Sequence, residues 1–143
     1  MAESTELMDA LAERARQAKE RVHASASTTK ERLESQVAEA RASAEKTNGQ
    51  VEQKAQGARE GASEHWTAAR KDWNAHIAQM RRKADDQKAT LDATRAEHRA
   101  QDREDDAVMA VDFAMQAVEE AEYEVLDAIL ARSEANSMAA ASA

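Results

Sequence analysis

"AKERVHASASTTKERL" (residues 18–33) contains Lys-Glu-Arg followed by an apolar residue twice, at 19–22 and 30–33, eleven residues apart. Stepping by eleven in both directions uncovers three interleaved registers. One is Leu7, Ala18, Thr29, Ala40, Val51, Ala62, Trp73 and Ala84. A second is Leu11, Val22, Leu33, Ala44, Ala55, Trp66, Ile77 and Lys88. A third is Ala15, Ala26, Val37 and Asn48, which slips by one residue to Ala58, Ala69, Met80 and Leu91. Only Thr29, Asn48 and Lys88 depart from apolar character, and only Lys88 is charged, in a chain that is 34 % charged. Spacings of four, four and three average 3.67 residues per turn, which keeps a stripe nearly straight along a helix with a slight right-handed drift. The pattern predicts helix from about Leu7 to Leu91 with one apolar seam.

Composition agrees with helix. The 143 residues include no Pro and only three Gly, and Ala, Glu, Arg and Gln are abundant. These side chains lose least on entering a helix. One Phe, one Tyr and two Trp leave few strand formers. Hydrophobic residues make up 42 %, but many are Ala, which buries little area. The expected fold is all-α: an elongated long-helix hairpin or coiled-coil-like bundle with a C-terminal helix docked on it. Residues 1–104 form the hendecad segment, 105–133 an acidic amphipathic helix and 134–143 a frayed tail.

The absence of Cys excludes disulfides and thiolate metal sites. No stretch approaches the roughly 18 uncharged apolar residues of a membrane-spanning helix. Met1–Leu11 carries Glu3, Glu6 and Asp9 where a signal peptide would be basic. A cytoplasmic protein is the expectation. The net charge of −8 is uneven: residues 106–143 hold eight acidic groups and one basic group, and the rest of the chain is close to balance. So acidic an end repels nucleic acid and anionic lipid.

In "HWTAARKDWNAHI" (65–77), Trp66 and Trp73 both fall on the seam, two turns and about 10 Å apart along the axis. Ile77 and Met80 continue it, while His65 and His76 occupy its flank. The cluster reads as the place where large side chains replace Ala on an existing stripe, for packing rather than for ligand binding.

Turn signals compete with this continuity. "KTNGQ" (46–50) contains Asn-Gly, which favours a hairpin turn near 47–50. Thr28 with Glu31 offers a capping box. The seam fails after Leu91, and "TRAEHRAQDREDD" (94–106) is polar all round, hence solvent-facing. Asp105 or Asp106 then caps a new helix. Within 105–132, Val108, Val111, Met115, Val118, Val125 and Ile129 follow a heptad-like register, and Phe113, Tyr123, Leu126 and Leu130 lie towards a second side. So broad an apolar surface is expected to be covered, by the 62–91 seam, by a second copy of itself, or by both. The expected contact anchors are Trp66, Trp73, Ile77, Met80, Phe113, Val118, Tyr123, Leu126 and Ile129.

Catalytic signatures are missing. No strand-turn-helix elbow presents a serine, and Gly49, Gly57 and Gly61 do not have phosphate-loop spacing. Glu20-Arg21-Val22-His23 has the Glu-x-x-His form of di-iron bundles, but such a site needs two copies and further carboxylates. Asp72/His76 and His98/Asp102 are isolated i,i+4 pairs. The basic cluster Arg70, Lys71, Arg81, Arg82 and Lys83 is followed at once by Asp85 and Asp86. No cofactor, metal, small-molecule substrate or nucleic-acid partner is expected.

"AKERVHASAST" (18–28) and "VEQKAQGAREG" (51–61) resemble the eleven-residue units of late embryogenesis abundant proteins, and residues 15–62 are most similar to them. The resemblance implies a helix that forms on drying, on a lipid surface or against another helix. Trp66, Trp73, Ile77 and Met80 are bulkier than that family's usual stripe. The sequence therefore points to a non-catalytic scaffold that self-associates or binds a helical partner. The alternative is an amphipathic coat or stress protectant on membranes or granules, with Lys19, Lys30 and Arg41 as the cationic border of the stripe.

Overall fold

The fold is known from a computed structural model that describes residues 2–56 and 60–142; the side chains of residues 2–4, 55, 60–63 and 65 lie outside that description. The chain is all-α. The described residues form α1 (Ala2–Ser25), α2 (Lys30–Gln56), α3 (Glu60–Ala89) and α4 (Ala93–Ser142), with no strand among them. The seam members Ala55, Ala58 and Ala62 and the flanking His65 lie outside the described side chains.

The first break falls at residues 26–29, not within the Asn-Gly stretch. Ser25 Oγ donates to the Arg21 carbonyl at 2.8 Å and the Ala26 amide to the His23 carbonyl at 3.3 Å, closing α1. The cap of α2 is Thr29, one residue beyond the expected Thr28. Its Oγ1 accepts from the Arg32 amide at 3.3 Å, and its carbonyl accepts from the Leu33 amide at 2.9 Å. One satisfied orphan amide is enough to mark a helix start.

The hairpin expected near 47–50 is corrected: α2 runs unbroken through Asn48 and Gly49. A tight hairpin turn at Asn-Gly needs left-handed backbone, and no described residue has positive φ. A single Gly within a helix costs only about 1 kcal/mol, less than losing the hydrogen bonds of a broken turn. α3 still runs antiparallel to α2, because contacts at Arg41, Glu45 and Asn48 meet Asp85, Arg81 and Arg70 in descending order.

The second correction concerns α4. It begins at Ala93, twelve residues before the expected cap. Asp92 Oδ1 accepts from the Arg95 amide at 2.8 Å, and the Asp92 carbonyl from the Ala96 amide at 2.7 Å. Arg95 Nη1 reaches back to the Thr90 carbonyl at 3.2 Å. Residues 94–104 are helical, and Ala96, Arg99, Asp102 and Arg103 are half-buried rather than wholly solvent-facing. Gln87 Nε2 donates to Asp102 Oδ2 at 2.7 Å, holding α4's first turns against the end of α3. Polarity alone did not mark this contact, because polar side chains make it.

α4 also continues to Ser142, so the tail expected to fray from residue 134 is helical. Ser142 Oγ donates to the Met138 carbonyl at 2.9 Å. Ala135, Ala139, Ala140 and Ala141 supply the strongest helix former there.

The chain divides into two compact units, residues 28–104 and residues 1–27 with 105–143. In neither does any described residue reach full burial.

Candidate interaction surface

Within residues 28–104, α2 and α3 meet through charge. Arg41 donates from Nη1 and Nη2 to the two Asp85 oxygens, each at 3.2 Å. Arg81 pairs with Glu45 at 3.6 Å, and Glu45 also lies 3.7 Å from Arg41. Each helix carries an Arg with an acid four residues on, and running the helices antiparallel crosses the two pairs. That mirrored spacing is legible in the sequence, but it is carried by charged residues and so leaves no mark in the apolar periodicity. Arg41 holds the Asp85 carboxyl below the usual carboxylate range, by hydrogen bonding first and, against an opposing desolvation, by charge with help from Lys88 and Arg81. Arg70 donates to Asn48 Oδ1 at 3.1 Å and to the Asn48 carbonyl at 3.4 Å. The Asn-Gly stretch thus serves as an acceptor for α3.

α3 gathers Trp66, Trp73, Ile77 and Met80 within about 60° of its circumference, at 100° per residue. Ile77 and Met80 are half-buried, whereas Trp66 and Trp73 keep 50 % and 40 % of their surface exposed. Trp73 stacks at a tilt on His76, with ring centroids 5.8 Å apart and 31° between planes. The expected α3 anchors therefore share one face.

On α4 the expected anchors divide. Val118 and Ile129 share a stripe with Val108, Val111 and Met115, and Val125 within it is half-buried. Leu126 lies about 60° from the middle of that stripe and Tyr123 about 120°. Phe113 projects nearly opposite, so it does not join the same patch. The stripe is exposed, with Met115 at 59 % and Val118 at 41 %. Its heptad spacing places Glu122 on the stripe itself, a charged member that counting apolar residues passed over.

The candidate metal pairs do not assemble: no group of three His, Asp or Glu among the described residues could hold an ion. Asp102 is engaged by Gln87. A shallow depression on α4, lined by Ile129, Arg132, Asn136 and Ala140, is the outer surface of one helix and encloses nothing. No helix among the described residues is long and apolar enough to cross a membrane. No family model, curated protein or solved structure matches this chain.

Proposed function

We propose that this chain is a non-catalytic helical interaction protein, cytoplasmic in setting, that works by self-association or by packing against a helical partner. One observation carries the reading. No described residue is buried, yet large apolar side chains recur at heptad spacing on α4 and share one face of α3. At about 25 cal/mol per Å² of apolar surface removed from water, covering such faces is the main source of stabilisation open to these helices. Isolated helices are marginal without it.

Static light scattering with circular dichroism on the full chain in plain buffer tests this. A helical species heavier than one chain is expected. A helical monomer at all accessible concentrations overturns self-association, and an unfolded monomer overturns the scaffold reading entirely.

The second reading, a lipid-surface or protectant helix, draws on the likeness of residues 15–62 to late embryogenesis abundant repeats and on the exposed Leu7 and Val22 of α1. Arg41 counts against it, since its guanidinium is bonded to Asp85 rather than held ready for headgroups. Flotation with anionic liposomes separates the two. Co-flotation with a large gain of helix favours the lipid reading; an already helical oligomer that stays with the soluble fraction favours the scaffold.

A further inference from the structure

We infer that the Val/Met/Ile stripe of α4 is covered by the Trp-bearing face of α3 from a second copy of this chain, running antiparallel, with the exchange reciprocal in a two-fold dimer. The inference rests on the self-association reading and names the surfaces that meet.

Charge decides between the possible mates. Residues 106–143 carry eight acidic side chains and one basic one. Two α4 helices packed together would set this excess against itself. An antiparallel α4 pair centred near residue 120 would bring Glu119 beside its own copy, and a parallel pair would stack Glu122 on Glu122. Like charges so placed are destabilising. α3 as a whole, by contrast, is close to balance, with six basic side chains (Arg70, Lys71, Arg81, Arg82, Lys83 and Lys88) against five acidic ones (Glu60, Glu64, Asp72, Asp85 and Asp86), so it does not repeat the acidic excess of α4. Arg70 is bonded to the neutral acceptors of Asn48, and no acid among the described residues is paired with it.

Register agrees with charge. Read backwards, α4 presents Val125, Glu122, Val118, Met115, Val111 and Val108. Read forwards, α3 presents Trp66, Trp73, Ile77, Met80 and Ala84 of the seam, with Arg70 beside the seam member Ala69 at its edge. With Arg70 counted, both series step by alternating threes and fours, the spacing of an antiparallel helix pair. Aligning Glu122 with Arg70 sets Val125 beside Trp66, Val118 beside Trp73, Met115 beside Ile77 and Val111 beside Met80. Glu122, the one acid of the α4 stripe, then faces Arg70, a cation at the edge of the α3 stripe. A partner helix would add cover to Trp66 and Trp73 and complete the half-burial of Ile77, Met80 and Ala84.

The chain has no native Cys, so site-specific disulfides can read this pairing. The full chain is prepared as Met115→Cys, as Ile77→Cys and as the double variant, with circular dichroism confirming helix in each. After mild oxidation, an equal mixture of the two single variants is expected to give a mixed covalent dimer, while each alone gives little. The double variant is expected to cross-link between chains. Dimerisation of Met115→Cys by itself would place α4 on α4 and overturn the inference while leaving self-association standing. Closure of the double variant within one chain would overturn it in favour of the chain's own α3. A dimer by light scattering that forms no such cross-link overturns the pairing alone, and a monomer overturns both readings. Charge exchange provides a second readout. Glu122→Arg and Arg70→Glu should each weaken dimerisation by at least about tenfold, and combining them in one chain should recover most of that loss. If the combination is weaker than either single change, Glu122 and Arg70 do not face each other.

Discussion

The Arg41–Asp85 pair is the clearest residue-scale link between α2 and α3, and its chemistry gives a signed prediction. Asp85 is held below the ordinary carboxylate range in the folded chain. A carboxylate depressed by folding contributes stability above its unfolded pKa, and that contribution is lost as pH falls through its folded value. Acidification below the usual carboxylate range should therefore loosen α2 from α3 before the helices themselves melt. The pair is exposed, so the effect is small and salt-sensitive. Titration of the Asp85 carboxyl carbon by NMR should show the lowered midpoint, and Arg41→Ala should return it to the ordinary range. An unchanged midpoint in Arg41→Ala would mean that the pair does not persist in solution. Helix caps give a second test at this scale. Asp92→Ala should cost about 1 kcal/mol in thermal or chemical unfolding. Asp105→Ala, inside continuous helix, should be close to neutral. The reverse ranking would restore the helix start to Asp105, where polarity alone had put it.

Helices were legible in this sequence; their ends were not. The hendecad reports which side of a helix is apolar, and the stripe over Trp66, Trp73, Ile77 and Met80 is on α3 as expected. A period says nothing of where a helix stops, because the phase survives any break that respects it. Residues 26–29 interrupt the helix while Ala26 and Thr29 keep their places in the register. Conversely, Asn48-Gly49 is a turn signal only where the backbone can go left-handed without giving up helical hydrogen bonds, and here those bonds prevail. The interaction surface was legible in part for a related reason. Apolar periodicity located the α4 stripe, but the α2–α3 contact is made by Arg41, Glu45, Arg81 and Asp85, which a search for apolar seams discards. Gly49 turns this into a prediction for α2. A Cβ at that position would meet nothing within 4 Å, and the residue is helical with φ negative. Gly49→Ala should stabilise the chain by about 1 kcal/mol, raising the unfolding midpoint followed by circular dichroism. A hairpin at 47–50 would make the same change destabilising, since alanine resists positive φ.

For the molecule as a whole, the decisive quantity is what water still touches. Two units in which no described residue is fully buried lack the interior that normally offsets the roughly 1–2 kcal/mol of backbone entropy lost per ordered residue. If the missing cover comes from a second copy, folding is coupled to association, and mass action then governs stability. The unfolding midpoint of the full chain should rise as protein concentration rises, while helix content at fixed temperature increases over the same range. Val118→Asp, which sets a carboxylate on the α4 stripe, should abolish the concentration dependence and leave the midpoint near that of the dilute wild-type chain. Tyr123→Ser, a comparable loss of apolar surface about 140° round the same helix from Val118, should leave the dependence intact. The contrast matters because any destabilised helix melts earlier, whereas only loss of a shared interface removes the dependence on concentration. A midpoint that ignores concentration in the wild-type chain would show that these helices need no second copy to persist, and the α4 stripe would then have to work on some other surface.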